Sequence, residues 1–138
     1  MRERAISARR VLKRHPWAIG LMESRGSSGP ATMRYVEAVL ATLRDGGFSV
    51  EMATHAFWLL DSYVYGHVIQ EISLPVGTPD QTSPSAEAVL DQADIGDHPH
   101  LAEVAAAAMA SGYDIDTVFE FGLDLVLEAL DGVRARAS

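Results

Sequence analysis

Residues 113–136 read YDIDTVFEFGLDLVLEALDGVRAR, and most of their acidic charge falls along one line. Asp116, Glu120, Asp124 and Glu128 recur every fourth residue, which on a helix puts them on a single stripe. Ile115, Val118, Phe119, Gly122, Leu123, Leu125, Val126, Ala129, Leu130 and Val133 take up most of the remaining circumference. A helix at the surface of a monomer needs an apolar arc of only about 100°. This one must be covered on two sides. Residues 50–74 pose the same problem: Ala53, Ala56, Leu60, Val64 and His67 share one face, with Thr54, Phe57, Asp61, Val68 and Ile72 on its neighbour. Two such helices imply a bundle shared between chains, most simply a twofold homodimer. The small residues Ala53 and Ala56 allow close approach. The expected dimer surface is therefore Ala53, Ala56, Leu60, Val64 and His67 on the first helix, with Gly122, Leu125, Val126 and Ala129 on the last.

The other segments are also helical in pattern, so the fold class is all-α. Residues 2–14 form a basic helix stopped at His15-Pro16, and PWAIGLMES is a short second helix. Pro30 opens a third, in which Met33, Val36, Val39, Leu40 and Leu43 recur at helical spacing until Gly46-Gly47 ends it. Ser49 caps the long helix, which Pro75 stops. Residues 75–98 are rich in proline, glycine and acid, and predict a mobile acidic loop. Pro99 starts a fifth helix, closed at Ser111-Gly112. The whole, residues 1–138, is the size of one domain.

Charge is unevenly placed. Residues 1–14 hold six basic side chains against one acidic one, a local +5, so the remainder must carry −13 of the net −8. A body that acidic repels nucleic acid, and the basic start is expected to be a short solvated helix. With no cysteine, disulfides and thiolate metal sites are excluded. No apolar run reaches the roughly 18 residues that span a bilayer, and the cytoplasm is the expected location.

The stretch RHPW, the following GP, and EAVLATLRDGGFS ahead of a long SYVYGHVIQE helix resemble the C-terminal domain of TetR-family transcriptional regulators. HPHLAEVA after the acidic loop and the final FEFGLDLVLEAL extend the resemblance over nearly all of the chain. It implies an all-helical regulatory domain that dimerises as a four-helix bundle and holds a small effector between helices. The family's DNA reader is a helix-turn-helix ahead of this domain. No such segment is read in this sequence, which starts at a basic helix like the one that joins the two parts. ESRGSSG and Gln70 stand where the tetracycline repressors carry metal-binding residues, so a tetracycline–magnesium ligand is not expected.

Asp61 lies within the nearly continuous apolar run HAFWLLDSYVYGHVI. It can face a solvent-filled cavity, pair with a basic residue of the short N-terminal helices or with Arg34, bond a neighbouring tyrosine, or donate as a neutral acid. The resemblance implies that this face lines the effector cavity. Asp61 is then its polar anchor, among Trp17, Met22, Ala38 and Thr42 from the earlier helices and Thr54, Phe57, Trp58 and Tyr65 beside it. The implied effector is small and hydrophobic, a cation being the charge that Asp61 would favour. Both tryptophans are more often core than ligand platform. His55 and His67 cannot converge with Asp61 along one helix, which argues against a hydrolytic site. Asp94, Asp97, His98 and His100 in DIGDHPH invite a metal, but capping of the helix at Pro99 accounts for the acidic and histidine residues there. No nucleophile elbow, phosphate loop or zinc signature occurs, so neither an enzyme nor a cofactor is expected. Two roles compete: the effector-binding, dimerising half of a regulator (most simply a repressor), or a standalone module that sequesters a small molecule or heterodimerises with an intact regulator.

Overall fold

The computed structural model describes residues 1–24, 29–73, 97–111 and 114–137, apart from the side chains of 21–24, 109, 111 and 137. Six helices make up the described residues: α1 (Arg2–Arg14), α2 (Trp17–Ser24), α3 (Pro30–Asp45), α4 (Val50–Ser73), α5 (Pro99–Ser111) and α6 (Ile115–Ala137). No strand is present among them. The expected loop at 75–98 falls outside the described residues, save for the exposed Asp97 and His98.

Local chemistry fixes the helix ends. Pro30 occupies the first turn of α3, where its missing N–H costs nothing. Gly47 has φ +91°, a conformation glycine adopts without penalty, and lets the chain turn out of α3. Ser49 Oγ accepts the Met52 N–H at 3.1 Å and starts α4. Asp114 accepts from the backbone N–H groups of Asp116 (3.0 Å) and Thr117 (3.3 Å), so α6 begins at Ile115 rather than Tyr113.

The core lies where α4 meets α1, α3 and α6. Ala53, Ala56, Leu60, Val64 and Val68 on α4 pack with Val39 and Leu43 of α3, Phe119, Leu123 and Leu130 of α6, and Ala5 and Leu12 of α1. That overturns the expected dimer face of α4. Ala56 is 0% exposed and Leu60 1%, so neither has surface left to offer a partner. The helix is turned about its axis relative to the expectation, with Leu59, Ile69 and Ile72 outward instead.

The basic helix α1 is not solvated along its length. It lies between α4 and α6, and its cations meet the acidic stripe of α6. Arg2 donates to Glu120 (2.8 Å) and Asp124 (2.9 Å). Arg9, almost fully buried, holds both oxygens of Glu71 at 2.9 Å and Asp116 at 2.6 Å, with its guanidinium 4.6 Å from the Phe119 ring centroid. Lys13 also reaches Glu71. Burial works against both ions of the Arg9–Glu71 pair, but their mutual bonds win: the arginine pKa is raised and the glutamate pKa lowered.

Candidate functional site

Three helices line an open cavity of about 510 Å³, with Val11, Ala31 and Thr32 of its lining exposed. Arg4, Ala5, Ala8, Val11 and Leu12 recur along α1 at helical spacing and form one wall. Ala31, Thr32 and Tyr35 of α3 form the second, and Asp61, Val64 and Tyr65 of α4 the third. The size falls within the usual range for small-molecule sites, about 300–1,000 Å³, and so does the character: an aliphatic lining with polar groups gathered at one place.

Those polar groups form a closed cluster. Arg4 Nη2 donates to Asp61 Oδ1 at 3.0 Å and also to Tyr35 Oη. Tyr35 Oη donates to the same Asp61 Oδ1 at 3.1 Å, while the Arg4 guanidinium lies 4.8 Å from the Tyr35 ring centroid. Burial, then the Asp61 charge, pushes the Tyr35 phenol up to about 12, so it stays a neutral donor. Tyr65 is raised for the same two reasons. The Asp61 side chain is only 14% exposed, tolerable because it is both ion-paired and hydrogen-bonded.

Of the expected ligand residues, the structure brings Asp61 and Tyr65 to this cavity. Trp17 (67% exposed) and Trp58 (65%) are neither core nor lining. Phe57 is buried in the core, and Thr54 faces out, its hydroxyl donating to the Val50 carbonyl. Ala38 is exposed, and Thr42 lines a smaller recess near Leu43, Phe48 and Leu130. The Met22 side chain lies outside the described residues. These corrections share one cause: among the described residues α1 rather than α2 lines the cavity, and α4 is rotated to meet it. The counter-ion of Asp61 is Arg4, whereas Arg34 is exposed. The preference for a cationic effector rested on an Asp61 with no such partner. A basic partner from the N-terminal helices and a tyrosine bond were both among the expected alternatives, but neither Arg4 nor Tyr35 was singled out as lining. The charge of α1 obscured its apolar face, for which the Ala5, Ala8 and Leu12 spacing was the available signal.

Among the remaining expected interface residues, His67 packs inside the chain, 5.0 Å from the Phe119 ring and 6.0 Å from Tyr63. Gly122 faces Tyr63 of its own chain, and Val126 is half-buried. Leu125 and Ala129 are exposed. Among the described residues there is no group of three or more potential ligands able to hold a metal ion, and Asp94 lies outside them. No helix among the described residues is long and apolar enough to cross a membrane.

The described residues thus form an all-helical fold with a largely apolar cavity against its N-terminal helix. The family model for the tetracyclin repressor-like C-terminal domain matches residues 1–136, and the chain belongs to that family. It is similar to the HTH-type transcriptional repressor DrrR1 of Streptomyces coeruleorubidus, 29% identical over 136 residues, with 91% of this chain and 48% of that protein covered. It also resembles the crystal structure of a possible TetR family transcriptional regulator from Streptomyces coelicolor A3(2), with TM-score 0.63 and 26% identity over 97% of this chain and 64% of that one. The chain spans about half the length of the curated relative it matches.

Proposed function

We propose that this chain is the effector-binding and dimerising half of a TetR-family transcriptional repressor, with DNA contacts supplied by a separate helix-turn-helix head. The carrying observation is the cavity of about 510 Å³ that α1 lines with α3 and α4. A ligand there touches α1 directly, so it biases how that helix lies between α4 and α6 by differential affinity for two arrangements. Residues 1–138 form a single regulatory domain in this reading, working in the cytoplasm without catalysis. The homodimer uses the exposed apolar side of α6, where Val118, Phe121, Leu125 and Ala129 follow at helical spacing, together with the exposed Leu59 and Ile69 of α4.

Fusion of the chain behind a DNA-reading head that represses only as a dimer tests this. The fusion should silence a reporter, and small apolar molecules that bind the chain should relieve the silencing. A fusion that accumulates normally yet fails to repress overturns the reading.

A further inference from the structure

We infer that the cavity takes a neutral, largely hydrocarbon molecule bearing a hydroxyl, an alcohol or a phenol, in preference to either ion; the inference rests on the cavity being the effector site. Arg4 and Asp61 stand 3.0 Å apart, so their charges already cancel. A ligand cation near Asp61 meets the Arg4 guanidinium, and an anion near Arg4 meets the Asp61 carboxylate. Either must split a partly buried pair and leave one member uncompensated.

A hydroxyl has no such conflict. Asp61 spends Oδ1 on both Arg4 and Tyr35, while Oδ2 has no hydrogen-bond partner among the described residues. Arg4 Nε–H is a buried donor with no acceptor among the described residues. The cluster is therefore short of one donor and one acceptor, and a hydroxyl is both. Reaching the buried Nε–H would require the guanidinium, 24% exposed, to turn toward the ligand. Beyond the cluster, Ala5, Ala8, Val11, Leu12 and Val64 offer hydrocarbon contact, with Ser7, Thr32 and Tyr65 the further hydroxyls of the lining, so most of the rest of the ligand is hydrocarbon.

Isothermal titration of the 138-residue chain near neutral pH with 4-butylphenol, 4-butylbenzoate and 4-butylbenzylammonium tests this. The phenol should bind about tenfold tighter than either ion, the penalty being that of breaking the pair. Asp61→Asn keeps an acceptor for Arg4 but leaves its charge unopposed, and should swing the preference to the benzoate. Arg4→Met should swing it to the benzylammonium. A merely structural role for the pair would weaken all three probes alike, and that result counts against the inference. An ion that binds the parent as tightly as the phenol, and is lost in a cavity-filling Ala8→Phe variant, overturns the neutral-ligand preference but leaves the effector cavity standing. Probes that fail to bind the parent, or that ignore Ala8→Phe in a variant shown to be folded by circular dichroism, overturn both.

Discussion

Tyr63 reaches from α4 across to α6 and donates to the Phe119 carbonyl at 2.8 Å, its ring 5.5 Å from that of Phe119. A Cβ on Gly122 would lie 2.3 Å from Tyr63 Oη and 3.0 Å from two ring carbons. Alanine is the better helix former by about 0.8–1.0 kcal/mol, yet overpacking costs about 1–3 kcal/mol. Gly122→Ala should therefore lower stability by about 1 kcal/mol in urea unfolding. Tyr63→Phe removes the nearest colliding atom, so in that background the same substitution should cost less. An equal cost in both backgrounds would mean that Tyr63 is not what excludes a side chain at Gly122. Asp61 shows the complementary limit of single residues. A carboxylate in an apolar run signals a partner, but the partner lies 57 positions earlier in the chain, on α1, and nothing local to Asp61 identifies it.

At the scale of elements, helix ends were legible because each rests on local chemistry: Pro30, Gly46-Gly47, Ser49 and Pro99 bound their helices where the pattern puts them. The rotation of α4 was not. A helix apolar around most of its circumference carries no signal about which arc faces its own chain, and only the position of α1 decides. The acidic stripe of α6 and the basic positions of α1 were each visible; that one answers the other was not, because nothing in either helix alone sets their relative placement. The packing of α1 against His67 and Glu71 of α4 makes stability depend on acid. Burial, then the charge of Arg9, lowers the pKa of His67 from 6.5; Lys13 opposes protonation too, and Glu71 favours it. Glu71 itself is held below 4.5, because its bonds to Arg9 and Lys13 outweigh burial. In both cases the unfolded chain binds protons at a pH where the folded chain does not, so stability falls as pH falls. Urea midpoints should begin to decline below about pH 6.5 and fall further below about 4.5. His67→Phe should remove the first stage and leave the second. Flat midpoints down to pH 5 would contradict the placement of His67 with its Nε2 buried.

For the whole molecule, the question is what covers the outer side of α6. Phe121 is 67% exposed, and Val118 and Leu125 lie beside it on the same arc. A monomer would leave this aromatic and aliphatic stripe in water, together with the exposed Leu59 and Ile69 of α4. The same arc on a second copy, related by a twofold axis, is a self-complementary cover. Light scattering should then report twice the chain mass of 14.9 kDa. Phe121→Asp places a charge at the contact while touching nothing in the core, so it should yield folded monomers with unchanged helical content. Leu60→Glu separates this arrangement from one built on the opposite face of α4. Leu60 is 1% exposed inside its own chain, so the substitution buries an unpaired acid and should unfold or aggregate the protein rather than release a folded monomer. A folded Leu60→Glu monomer together with a dimeric Phe121→Asp variant would move the interface to the other side of the helix.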